Sequence, residues 1–278
     1  MEGDVEEVES SQLSLTEAER IIARLEEVVR EQHVVLVGGQ AVSIWTGQLK
    51  HLLDGRLTPA QVISGDIDFL GNAADVQLAA DLLGGRARLT RWEDRTTLTG
   101  VAIFLDSDGH ERRLDFLRSP YGMNAEDVRN TAIEVDLVLS TVRQVPVWVM
   151  HPERCMESRV HNSVLANKQT DLAWRQLRAS ILCARAFSQL LLDERGDAVV
   201  RDVLNLNERI FRFAQEDRSA RLAHDRGIEV FDAVLDDERL PEKFRTVRLP
   251  QMRGRIEALR QRERDRLSRS NARSPEAG

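Results

Sequence analysis

Cysteine, lysine and long apolar runs are what this chain has least of. Its 278 residues include two cysteines, Cys155 and Cys183, too few for a disulfide framework. Three lysines (Lys50, Lys168 and Lys243) stand in a chain whose basic side chains are otherwise arginine. Six histidines are scattered without the spacing of a zinc site, so any metal chemistry is expected to use oxygen ligands. No apolar run approaches the length of a membrane span, and no membrane partner is expected. The first residues are acidic and polar, unlike a secretory signal. A cytoplasmic location is the resulting expectation.

What remains is a charged chain with enough apolar residues for a core. Apolar side chains make up 42% and charged ones 31%, in the range of soluble globular proteins. The length suits one large domain or two modest ones. The net charge of −7 gives no global attraction to nucleic acid, but it is unevenly spread. Residues 1–10 carry five acids and no base, whereas residues 253–273 carry eight arginines against three acids, a local balance of +5. That basic stretch reads either as a solvated helix fraying into a tail or as a contact for polyphosphate or RNA.

Along the chain, residues 1–12 read as a disordered acidic N-terminus. Thr16 and Glu19 have capping-box spacing, and Ile21, Ile22, Leu25, Val28 and Val29 recur at helical period, which predicts a helix over about 15–32. "HVVLVGG" reads as a short buried strand ending in two glycines, and Ala41, Ile44, Trp45 and Leu49 follow at helical spacing. Residues 50–63 are mixed, with Gly55 and Pro59 as breakers. "DIDFLG" is a second strand, and residues 73–84 form a helix ended by Gly84-Gly85. "GVAIFLDSDGHERRLDFL" is a hairpin turning at Asp108-Gly109. Strands are expected near 132–139 and 145–150. Beyond His151-Pro152 strand signals stop, and amphipathic segments follow at roughly 153–167, 170–194, 197–216, 219–236 and 250–268. The chain therefore reads as an α/β (α+β) part over 13–150 and a helical domain over 151–268, closed by a disordered tail at 269–278.

In "GDIDF", Asp66 and Asp68 are one residue apart on the predicted strand, so both carboxylates project to one side while Ile67 and Phe69 project to the other. Parallel carboxylates repel, and a cation between them relieves the repulsion. Oxygen ligation of this kind suits Mg²⁺ or Mn²⁺. In "ERRLDFL", Leu114 and Phe116 share one face and Asp115 lies on the other. If its strand pairs beside the first, three carboxylates converge, a set able to hold metal for displacement at phosphorus and to accept a proton from an attacking hydroxyl. Gly38 and Gly39 allow close approach of a ligand to the backbone, and the helix after them offers free N–H groups to a phosphate. Neither G-x-G-x-x-G nor G-x-x-x-x-G-K-[ST] is present.

"LVGG", then "SGDIDF", then Asp115 on a later strand resembles the DNA polymerase β-type nucleotidyltransferase superfamily. "GGQAVSIW" and "SGDIDF" are most similar to its bacterial AbiEii-like branch of toxin and phage-defence nucleotidyltransferases. The likeness covers roughly residues 34–118, with "HPERCMESRVHN" and Lys168 as a weaker extension. It implies a nucleotidyltransferase-type mixed sheet with flanking helices and a C-terminal helical domain. It further implies transfer of a nucleoside monophosphate from an NTP to an acceptor hydroxyl on a tRNA, a protein or a small molecule, with release of pyrophosphate. Asp66, Asp68 and Asp115 would be catalytic and bind Mg²⁺ (or Mn²⁺). Gly38 and Gly39 would hold the triphosphate, joined by Gln40, Ser64, Lys168 and Arg159. A cognate antitoxin is the implied protein partner. The 26 residues between Gly39 and Asp66 exceed the superfamily's usual number, and 50–63 reads as an insertion at the mouth of the site. Trp45 and Trp174 read as core residues or as stacking surfaces for a base, and His151 as structural. The alternative to an enzyme is a non-catalytic nucleotide-binding or regulatory protein that keeps the same fold.

Overall fold

The structure, a computed structural model, describes residues 15–53, 55, 57–94, 96–138, 144–164 and 169–273. The acidic stretch at 1–12 and residues 274–278 lie outside the described residues. The chain divides into two units, Met1–Ser43 with Pro59–Met150, and Ile44–Thr58 with His151–Gly278.

In the first unit, α1 (Leu15–Arg24) and α2 (Glu26–Val29) stand where one helix was expected, separated at Leu25. Then come β1 (Val35–Val37), α3 (Gly38–Gln48), α4 (Pro59–Val62), β2 (Ile67–Leu70), α5 (Ala73–Leu83), β3 (Arg86–Leu89), β4 (Leu98–Leu105), β5 (Glu111–Leu117), α6 (Ala125–Thr131), β6 (Ile133–Val138) and β7 (Gln144–Val149). Helix α3 passes from the sheet unit into the second unit after Ser43. The segment expected as an insertion holds a 3₁₀ turn at Lys50–Leu52 and α4. Among the described residues the strands form one seven-stranded sheet in the order β3-β4-β5-β2-β1-β7-β6. The β2–β5 and β1–β7 pairs are parallel and the others antiparallel. This is the mixed α/β sheet with flanking helices that was expected.

Alternation makes the centre of the sheet. Ile67, Phe69, Leu114 and Phe116 are all fully buried, and the Phe69 and Phe116 rings stack with centroids 5.5 Å apart at 27°. Each such side chain contributes roughly 1.5–3 kcal/mol of hydrophobic stabilisation. Helix α5 is closed at both ends. The Asn72 side chain accepts from the Ala74 and Asp75 amides, the Asp75 carboxylate accepts from the Asn72 amide, and Gly84 ends the helix at φ 66°. The reciprocal pair satisfies amides that the first turn leaves open.

The second unit is helical: α7 (Pro152–Val164), α8 (Asp171–Arg195), α9 (Val200–Ala214), α10 (Asp217–Arg226) and α11 (Leu249–Arg273). Its core includes Met156, Val160, Leu177, Val203, Ile210 and Met252. Helix α11 continues to Arg273 where a tail from 269 was expected; Arg269, Ala272 and Arg273 are good helix formers, although Ser270 and Asn271 between them are not. The stretch expected as one helix over 219–236 ends instead at Arg226, where Gly227 adopts φ 61°. Both cysteines are buried and free. Burial raises the Cys155 thiol pKa far above its ordinary value, and pushes that of Cys183 up to about 12.

His151 opens this unit. Its ring packs edge-on against Phe187 with centroids 4.9 Å apart, and its Nδ1 accepts from the Glu153 amide at 3.2 Å. Burial, and then the charges of Arg209 and Arg154, lower its pKa from 6.5 to about 3. The unfolded chain therefore takes up a proton below about 6.5 that the folded chain refuses until about 3. Stability is fully present above the unfolded value and falls as pH drops through this window, by up to about 1.4 kcal/mol per pH unit. Urea unfolding at pH 7 and pH 5 should show this loss, and His151→Gln should lessen it.

Candidate functional site

Gly38 directly follows β1 and opens α3 with φ +70°, a conformation that costs most other residues roughly 1–2 kcal/mol. A Cβ at this position would lie 2.9 Å from Cγ and 3.1 Å from Cβ of Asp68. Both the backbone and the neighbouring carboxylate thus require glycine here. Gly39 and Gln40 continue the first turn of α3. Gln40 is buried, and its Nε2 donates to the Ser64 carbonyl at 2.8 Å. This bond ties the start of α3 to the segment that leads into β2.

Asp68 lies opposite Val37 of β1 and in register with Asp115 of β5 across the parallel pair. In-register neighbours project on the same face of a sheet. The two carboxylates therefore share one face, and the Phe69–Phe116 pair packs on the other. Both are half-buried. The Arg113 guanidinium approaches Asp115 Oδ1 at 3.7 Å, which offsets part of the carboxylate repulsion. Asp66 is exposed and sits in a bend ahead of β2. The strand starts one residue later than expected, so strand alternation alone does not place Asp66 on the face of Asp68.

The structure brings Gly38, Asp68 and Asp115 together, and it bonds Gln40 to Ser64. Arg159 belongs to α7 in the helical unit, where its Nη1 donates to Gln176 Oε1 at 3.0 Å. Lys168 lies outside the described residues. Trp45 is core, buried and edge-on to Phe187 at 5.6 Å.

One tight grouping of ligand-type side chains occurs among the described residues, and it is not the expected trio. Asp106, Asp108 and His110, at the β4–β5 turn, place ligand atoms within 4.8 Å of one another, an arrangement that could hold a divalent cation. The turn already uses Asp106, whose Oδ1 accepts from the Asp108 and His110 amides at 2.9 Å each, while its Oδ2 accepts from Arg112 Nε at 2.8 Å. Burial opposes the Asp106 charge but is outweighed. The His110 amide, the Glu17 and Arg112 side chains and the Asp108 amide hold its carboxyl well below the ordinary range. Glu17 is raised, by burial first and then by Asp106. The spacing D-x-D-x-H in "DSDGH" carried the signal for this grouping, but the turn at Asp108-Gly109 accounts for the same residues.

No protein-family model matches the chain, and no curated protein matches it. Among solved structures it is similar to an antigenic nucleotidyltransferase-like protein from Paracoccidioides brasiliensis. The two are 13% identical with a TM-score of 0.38, over 66% of this chain and 91% of that one. At so low a score, nothing about the site or its chemistry rests on the likeness.

Proposed function

We propose that this chain is a metal-dependent nucleotidyltransferase that moves a nucleoside monophosphate from an NTP to an acceptor hydroxyl and releases pyrophosphate. The observation that carries the proposal is the in-register pair Asp68 and Asp115 on neighbouring parallel strands, set against a left-handed glycine at the start of a helix. An all-oxygen, doubly anionic pair of donors with a third carboxylate, Asp66, nearby in sequence fits Mg²⁺ or Mn²⁺. When bound, such an ion supplies positive charge that stabilises the transferring phosphoryl group and the leaving pyrophosphate.

The chain's own residues have distinct parts. The Gly38-Gly39 turn and the free amides of α3 take the triphosphate, since the helix start offers N–H groups and a positive dipole end. Gln40 fixes the backbone at Ser64 and thereby the approach to Asp66. Asp115 accepts the proton of the attacking hydroxyl. Arg159 and Lys168 are further phosphate candidates. The acceptor class is a tRNA, a protein or a small molecule. Within this proposal, a role as a toxin or phage-defence component with a cognate antitoxin is the finer reading, supported by "GGQAVSIW" and "SGDIDF".

The test is incubation with each α-labelled NTP, Mg²⁺ or Mn²⁺, and total cellular RNA and protein, comparing the wild-type chain with Asp68→Asn and Asp115→Asn. Label transfer or pyrophosphate release that both substitutions abolish is the expected result. Nucleotide binding without any transfer would favour the non-catalytic alternative.

A further inference from the structure

The helical unit contains a cavity of about 420 Å³ whose lining includes Ser163, Gln169, Trp174, Arg221, Asp225 and Arg226. That volume falls within the range of small-molecule sites, roughly 300–1,000 Å³. Arg221, Asp225 and Arg226 come from one face of α10, at i, i+4 and i+5. The Arg226 guanidinium lies 4.7 Å from the centroid of the Trp174 ring, and its Nη2 donates to Gln169 Oε1 at 3.1 Å. The two contacts hold a cation over an indole. Arg221 meets Asp225 only at 3.9 Å with its side chain 69% exposed, a long surface pair worth little. The wall therefore carries two guanidinium groups against one carboxylate, in a chain whose net charge is −7.

A fixed indole–guanidinium stack takes a flat ring, and a loosely held guanidinium beside it takes an anion. We propose that this cavity binds a nucleoside monophosphate unit, with its base against the Trp174–Arg226 stack and its phosphate on Arg221 and Arg226. The unit is either a free nucleotide or the terminal residue of a single-stranded RNA. All the lining residues belong to the helical unit, so the proposal does not rest on the carboxylate site.

Calorimetric titration of the full chain tests it, with the four ribonucleoside monophosphates, a hexaribonucleotide and inorganic phosphate as ligands. Saturable binding of a monophosphate is expected, at least about tenfold tighter than phosphate alone, weakened about tenfold or more by Arg226→Gln and by Arg221→Glu, because charge-assisted contacts are lost. Glu134→Gln, an exposed position on β6, should leave it unchanged. Saturable binding of the hexamer but of no monophosphate, with the same sensitivity to both arginines, assigns the unit to an RNA end. The proposal is overturned by no saturable binding of either ligand, by binding indifferent to both arginine variants, by phosphate binding as tightly as the nucleotide, or by loss of binding in Glu134→Gln.

Discussion

Gly38→Ala should destabilise the folded chain by about 3 kcal/mol, through two separable costs. The first is conformational. At φ +70° an L-residue loses roughly 1–2 kcal/mol to contact between its Cβ and the carbonyl. The second is steric, since the added methyl would lie 2.9 Å from Asp68 Cγ. Asp68 is on a central strand, paired on one side with β1 and on the other with β5, so its Cβ cannot retreat and relief requires its carboxylate to leave its rotamer. Overpacking of this kind costs typically about 1–3 kcal/mol. An Asp68→Ala background removes the Cγ and its oxygens but keeps the Cβ 3.1 Å away, and should leave the conformational cost with only a remnant of the steric one. Chemical denaturation of the four members of this cycle checks the prediction. An equal penalty for Gly38→Ala in both backgrounds would mean that the carboxylate does not press on the glycine. If the penalty shrinks, the tight turn and the carboxylate are one construction.

The central pairing was legible because it depends on the pleat. In "DIDFL" and "RRLDFL" the buried residues alternate with the acids, and a period of two leaves each acid one face to occupy. The identity of the neighbouring strand was legible only as a condition, since β2 and β5 lie far apart in sequence and their parallel register is a tertiary fact. The bond from Gln40 to Ser64 spans 24 positions and leaves no local pattern. Two elements were missed for want of an apolar signal. Strand β3, "RARL", is an edge strand paired only with β4 and is mostly exposed. Helix α6, "AEDVRNT", buries only Val128 and is started by the Asn124 side chain, which accepts from the Glu126 amide. The overlong helix at 219–236 was a missed stop signal, since a glycine directly after Arg226 favours a left-handed C-terminal cap. Asp66 could not be placed from sequence because the start of a strand is set by where its ladder bonds begin, and here they begin at Ile67.

Arg209→Met should cost the helical unit about 3 kcal/mol, although the residue is far in sequence from any motif. Glu153, in the first turn of α7, has a side chain only 3% exposed. Arg209 of α9 supplies it with Nε at 2.9 and 3.0 Å and Nη2 at 2.8 Å, a bidentate pairing of planar groups. Removing the guanidinium strands a buried carboxylate, and that loss exceeds the net worth of the pair. Glu153→Gln combined with Arg209→Met should therefore recover much of the stability, since no charge is left uncompensated. The variant should also change the acid response. The Arg209 charge is, after burial, the next contributor to the depression of His151. Without it the folded chain accepts the His151 proton at a higher pH, the window between folded and unfolded values narrows, and less stability is lost between pH 6.5 and pH 4. Urea unfolding of the wild-type chain, Arg209→Met and the double variant at several pH values would separate the two effects. Recovery in the double variant without any flattening of the acid profile would show that His151 does not sense Arg209.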